Sequence, residues 1–230
     1  MNLLALKLGL SNKLAFYDVY SLDDVDLLAH IPRPAVALLV IIPLTPTWDQ
    51  NRQTEDAEKP ALYTGSGSEE PVIWFKQTIG HACGSIGLLH CAINGEAVSF
   101  IDPGSTLEEI RSAALPLKMA DRAQMLYDNQ AFEDAHQSLA PMGDSAQQSL
   151  DAACKMGQHF VAFVKGNDGH LWELEGSRKG PLDRGVLASD EDVLSPRALD
   201  LGLKRIIRAE SEAGGSDLRF SCIALAPRHT

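Results

Sequence analysis

The sequence predicts an α+β fold, and three observations predict it. Helical periodicity fills most of the first half. Two short strand-like runs joined by a turn, followed by a later third, occupy the second half. One continuous apolar run, residues 35–42 (AVALLVII), interrupts the helical half early. Helices and strands grouped in blocks argue for α+β architecture. An apolar run without alternation is the pattern of a central strand covered on both faces. With 230 residues, 45% of them hydrophobic, the chain suits one domain spanning residues 1–230 with a full core.

In chain order, residues 2–10 read as a short amphipathic helix ending at Gly9, with Leu3, Leu6 and Leu10 on one side. Residues 15–20 read as a short strand. Residues 24–29 read as a helical turn, broken by Ile31-Pro32-Arg33-Pro34 before the apolar run. Residues 51–70, rich in Gly, Ser, Glu and Asp, read as a mobile surface loop without structure. Residues 83–94 form a helix that stops at Asn94-Gly95. Ser105 or Thr106 caps a helix over 107–114 whose first turn carries Glu108 and Glu109. Residues 117–137 read as one longer helix, and 138–157 as a long loop. Residues 159–164 (HFVAFV) and 170–174 (HLWEL) flank the turn Lys165-Gly166-Asn167-Asp168-Gly169, a β-hairpin. Residues 177–185 read as a loop, 195–208 as a helix opening at Ser195-Pro196, and 218–226 as a last strand.

The net charge is −11. Nucleic acid and anionic membranes are therefore poor partners and a basic partner is a better one. The most apolar run covers about ten residues between prolines, too short for a bilayer span. Residues 1–10 are too short, and carry Lys7 among them, to read as a signal peptide. Four scattered cysteines, Cys83, Cys91, Cys154 and Cys222, make no paired metal spacing. They predict a reducing compartment, with no disulfide framework, structural zinc or cofactor, and hence a soluble protein of the cytoplasm or nucleus.

The stretch 77–94 (QTIGHACGSIGLLHCAIN) carries the chemistry. Cys83 stands among small residues at the first turn of its helix, where unpaired N–H groups and the positive dipole end favour a thiolate. Gln77 offers a side-chain amide to a developing oxyanion. Such a cysteine also fits simple core filling. A nucleophile needs a base, and the base an orienting group. His159 opens one hairpin strand and Glu175 follows the other, so the hairpin brings them together and Glu175 can fix the imidazole tautomer. The alternative is a strand histidine and a solvated carboxylate, and Asp168 and Asp183 stand next in line as the acid. His81 lies too close to Cys83 along the chain to act as its base. His90 shares a helix face with Ile86 and reads as a core residue.

The segments QTIGHACGSIGLLH, HFVAFV with HLWELEG, LRFSCIALA, IPRPAVALLVIIP and FYDVYSLD together resemble the ubiquitin carboxyl-terminal hydrolase family of cysteine peptidases. The resemblance runs from about Leu3 to Ala226. It implies a papain-like core, a central antiparallel sheet flanked by helices, with a knotted backbone path. It implies Gln77 as oxyanion donor, Cys83 as nucleophile, His159 as general base and Glu175 as third triad member. It implies ubiquitin as partner, hydrolysis of adducts at ubiquitin's C-terminal glycine, and residues 138–157 as a loop crossing the active site. Nothing in the sequence suggests an obligate dimer, and a monomer is expected. The chain resembles the short, single-domain members. It departs from the family in three ways: Glu175 stands where the family carries aspartate, with a hairpin turn one residue longer; His81 replaces an asparagine; and the stretch usual before Asn2 is missing. These departures leave an alternative, a ubiquitin-binding module with impaired catalysis.

Overall fold

The computed structural model describes residues 1–80, 82–138, 158–214 and 219–229. In chain order the elements are α1 (Asn2–Leu8), β1 (Leu14–Asp18), α2 (Val25–Leu28), β2 (Ala37–Pro43), α3 (Pro46–Ala57), α4 (Cys83–Ala92), a 3-10 turn (Gly95–Phe100), α5 (Thr106–Ala114), α6 (Met119–Tyr127), α7 (Gln130–Gln137), β3 (Gln158–Lys165), β4 (His170–Leu174), β5 (Leu182–Val186), α8 (Pro196–Leu201), α9 (Leu203–Glu212) and β6 (Ser221–Pro227). The strands form one six-stranded sheet in the order β1-β6-β2-β3-β4-β5. Every pairing in it is antiparallel.

The apolar run became β2, a central strand between β6 and β3. Its side chains alternate between two cores. Ala37 and Leu39 join the core with α1 and α4 to α7. Leu38, Val40 and Ile42 join the core with α8 and α9. A strand buried on both faces gains nothing from polar alternation, which is why the sequence shows none.

Helix α4 is apolar all round, and every residue of it except Gly84 is buried, as a helix at the centre of a core must be. Two glycines set how closely it lies on the sheet. A Cβ at Gly87 would stand 2.6 Å from Leu39 Cδ1, and one at Gly84 would stand 3.3 Å from the Phe160 ring.

The structure corrects several boundaries. Residues 51–57, expected as unstructured loop, are the second half of α3. Thr45 caps this helix by accepting the Trp48 N–H, and Pro46 sits at its first position, a start signal that the sequence contains. The helix expected over 117–137 is two helices, because the Asn129 side chain caps a new start by accepting the Phe132 N–H. The helix from Ser195 is likewise two, divided at Gly202. Residues 182–185, expected as loop, belong to the edge strand β5. In α1 the buried face is Leu4, Ala5 and Leu8, while Leu3 and Leu6 are exposed. Gly9, at φ 100°, ends that helix, so Leu10 no longer shares its helical spacing. It pairs instead with Ile101.

Candidate active site

Three segments meet at one end of the sheet. The first is the start of α4. Its N-cap residue Ala82 makes no side-chain cap hydrogen bond, and the positive dipole end of the helix lies at Cys83. Cys83 opens the helix and is buried, 8% exposed. Its neighbour Gly84 lies against the ring of Phe160, the residue after His159, so the helix start packs on the strand that carries the imidazole.

The second segment is the start of β3. His159 Nε2 stands 2.5 Å from Glu175 Oε1, and both side chains are buried. A carboxylate only accepts, so Nε2 carries a proton, and in the neutral ring the lone pair is on Nδ1. The acid is itself held. The Ser177 N–H donates to Oε1 at 2.6 Å and the Ser177 hydroxyl donates to Oε2 at 2.7 Å. Burial pushes the Glu175 carboxyl up, but the His159 hydrogen bond and charge and the two Ser177 bonds outweigh it and hold the group below the usual carboxylate range. The Asp alternatives are engaged elsewhere: Asp183 with His170 at 2.9 Å, and Asp168 with the Trp172 indole at 3.1 Å.

The third segment carries Gln77. Its N–H donates to the Gly176 carbonyl at 2.9 Å. Lys76 donates to the carbonyls of Ser177 and Arg178 at 2.7 and 2.9 Å, and the Trp74 indole to that of Glu175 at 3.1 Å. Gly176 permits this approach, because a Cβ there would stand 2.7 Å from Gln77 Cβ. The Gln77 amide nitrogen is 3.5 Å from the Ile79 carbonyl, at the edge of hydrogen bonding. Asn94 fixes the approach to Gln77 by accepting the Ile73 N–H and donating to its carbonyl at 2.7 and 2.9 Å. His90, fully buried, accepts the Phe75 N–H at 3.0 Å. Burial lowers its pKa to about 3, so it is neutral and structural.

The sequence reading did not find the charged cluster behind the acid. Glu55 of α3 pairs with Arg178, with Arg184 at 2.7 Å and with Arg205 at 3.3 Å. Arg184 and Arg205 also reach Glu173 at 2.8 and 3.2 Å. Burial raises the Glu55 pKa, but the three guanidinium groups outweigh it and bring it to about 2. The cluster anchors the segment that carries Ser177. Its members are far apart in sequence, and nothing local marks them. The readings at His81 and at the crossing loop fall outside the described residues, apart from Ser138 at the loop's start. Among the described residues no group of three or more His, Cys, Asp or Glu side chains is placed to hold a metal ion.

A sequence model of ubiquitin carboxyl-terminal hydrolase, family 1, matches residues 1–207. Ubiquitin carboxyl-terminal hydrolase isozyme L1 of Monodelphis domestica is 35% identical over 227 residues, covering 98% of this chain and 93% of its own. The Homo sapiens isozyme L1 is 34% identical over the same shares. Among solved structures, the Trichinella spiralis UCH37 catalytic domain bound to ubiquitin vinyl methyl ester superposes with a TM-score of 0.71 at 23% identity, covering 99% of this chain and 91% of that one. This last likeness is one of fold.

Proposed function

The chain belongs to the ubiquitin carboxyl-terminal hydrolase family, and from that membership and the site geometry we propose how it works as a thiol-dependent hydrolase at the C-terminal glycine of ubiquitin. The observation that carries the base and acid assignment is the buried His159–Glu175 pair; Cys83 takes the nucleophile's role from its place at the first turn of α4 and from family membership.

Because Nε2–H is committed to Glu175, Nδ1 is the basic nitrogen. It takes the proton of the Cys83 thiol, and the helix dipole favours the resulting thiolate. The sulfur attacks the carbonyl carbon of the terminal glycine. The Gln77 amide and the Cys83 N–H hold the oxyanion. The C–N, C–O or C–S bond to the adduct breaks, and the leaving atom takes the Nδ1 proton. His159 then removes a proton from water. The hydroxide attacks the thioester and the thiolate departs. Glu175 stays ionised throughout and compensates the imidazolium. The buried acceptor geometry supports glutamate in this role: the longer side chain is already seated on three donors. The unpaired thiols of Cys91 and Cys222 agree with a reducing compartment such as cytoplasm or nucleus.

Ubiquitin vinyl methyl ester tests the assignment. The wild type is expected to form a covalent adduct of ubiquitin mass, and Cys83→Ala to form none while still binding ubiquitin. Adduct formation by Cys83→Ala would sink the nucleophile assignment.

A further inference from the structure

An ion pair in the helical core takes no part in the mechanism above. Arg122 of α6 and Glu70 are both buried. Arg122 Nη2 donates to Glu70 Oε2 at 2.8 Å, and Nη1 to Oε1 at 3.2 Å. Nη1 also donates to the Trp74 carbonyl at 3.1 Å, and Nε to the Ala114 carbonyl at the end of α5, likewise at 3.1 Å. The Tyr63 hydroxyl donates to Glu70 Oε1 at 2.7 Å, and its ring meets the Trp74 indole edge to face with centroids 5.8 Å apart. Trp74 is thus gripped twice, at its carbonyl by Arg122 and on its ring by Tyr63, and Glu70 holds both grips. The indole N–H in turn donates to the Glu175 carbonyl at 3.1 Å.

A buried ion pair is weak support for stability, because desolvation of the two charges offsets their attraction. What this pair does is fix a backbone carbonyl and, through it, a chain of contacts that ends at the acid. Strand β4 pairs with β3 only as far as Leu174, so the sheet ladder does not set the backbone of Glu175. The Glu175 carbonyl accepts from the Arg178 N–H at 3.3 Å, within its own turn, and from the Trp74 indole. Of these two donors, the indole alone belongs to a distant segment. We propose that Trp74 is a positioning residue for Glu175, and that the Arg122–Glu70 pair acts on catalysis through it. The inference rests on the hydrolase reading and adds to it what fixes the acid. Without the indole N–H a buried carbonyl loses a donor, and the backbone that carries the carboxylate shifts. A carboxylate drawn away from Nε2 stabilises the imidazolium less, and with it the thiolate that the imidazolium faces.

Trp74→Phe tests this, because it keeps a ring for Tyr63 and removes the N–H. Hydrolysis of a ubiquitin C-terminal coumarin amide is expected to fall roughly five- to twentyfold in kcat, the scale of a displacement below about 1 Å, with KM near the wild-type value. Alkylation of Cys83 by iodoacetamide across a pH series, read by peptide mapping, is the readout that a merely structural role would not move. Its midpoint reports the coupled thiolate and imidazolium, and is expected to move to higher pH by about half a unit to one unit. Arg122→Lys keeps the charge beside Glu70 and loses the fork that spans Glu70 and the Trp74 carbonyl. It should move both readouts in the same directions. In a Glu175→Gln background, Trp74→Phe should lower kcat by about threefold or less, because the charge it places is gone. Wild-type kcat in Trp74→Phe overturns the inference. So does a loss of kcat with the alkylation midpoint unmoved, or the full loss repeated in the Glu175→Gln background, since either would put the effect in the fold or in Gln77. A midpoint that moves in Trp74→Phe and not in Arg122→Lys refutes the part given to the ion pair. A wild type that neither hydrolyses the amide nor reacts with ubiquitin vinyl methyl ester refutes the hydrolase reading beneath it, whereas an active wild type with an unaffected Trp74→Phe refutes the positioning role alone.

Discussion

Replacing Glu175 by Gln isolates its charge from its shape. The Gln oxygen can take the Oε1 position and still accept from His159 Nε2 and the Ser177 N–H, which donate there at 2.5 and 2.6 Å. The amide nitrogen then takes the Oε2 position, 2.7 Å from the Ser177 hydroxyl, which turns from donor to acceptor. The geometry survives and the negative charge is lost. With charge centres about 4 Å apart and an effective dielectric of about 20, the carboxylate is worth about 4 kcal/mol to the imidazolium. About half to three quarters of that reaching the transition state is a loss of roughly 30- to 200-fold. The assay is steady-state hydrolysis of a ubiquitin C-terminal coumarin amide, and the fall is expected in kcat. Glu175→Asp should lose roughly a hundredfold, because retracting the carboxylate by about 1 Å misplaces the base. A Glu175→Gln enzyme within threefold of wild type would refute the electrostatic role. The pH dependence of stability gives a second readout. Glu175 is held below its ordinary value of 4.5, so its contribution is present above about that pH and is lost as pH falls through the lower folded value. The stability gap between wild type and Glu175→Gln should therefore narrow in acid.

The Glu55 cluster should show the same sign. Glu55→Gln leaves Arg178, Arg184 and Arg205 without a shared carboxylate. It should cost about 2–3 kcal/mol in urea unfolding at pH 7, less than for a fully buried group because Glu55 is part-exposed. That difference should fade as pH falls from 4.5 towards about 2. No difference at pH 7 would show that the cluster does not stabilise the acid-bearing segment. Iodoacetamide applied to the folded protein should leave Cys91 and Cys222 unmodified, because burial raises both thiols, Cys222 to about 12. Peptide mapping that finds either alkylated before unfolding would contradict that burial.

Much of the local structure could be read directly. The hairpin followed from its turn residues, β2 from its unbroken apolar run, and the start of α4 from small residues followed by apolar ones. The pairing of His159 with Glu175 followed from the hairpin and a spacing of 16 residues. Helix α3 does not show in the sequence's periodicity because its interior is polar (PTWDQNRQTEDA). Its stabilisation comes from partners 123 to 150 residues away, Arg178, Arg184 and Arg205, which no local window contains. Edge strand β5 holds Gly185 at φ 117° and a register shift against β4, so its sequence lacks the regular alternation that marks a strand.

The candidates for the chemistry are legible along the chain, because reactivity depends on local context: a helix start, a strand end, a hairpin spacing. What surrounds them comes from the packing of distant segments. Ser177 clamps the acid, Gly176 lets the Gln77 segment close on it, and the Trp74 indole holds the acid's carbonyl. Each of these contacts joins segments whose separation along the chain carries no periodic signal. They form because packing α3 and α4 against opposite faces of one sheet leaves few other places for those side chains to go.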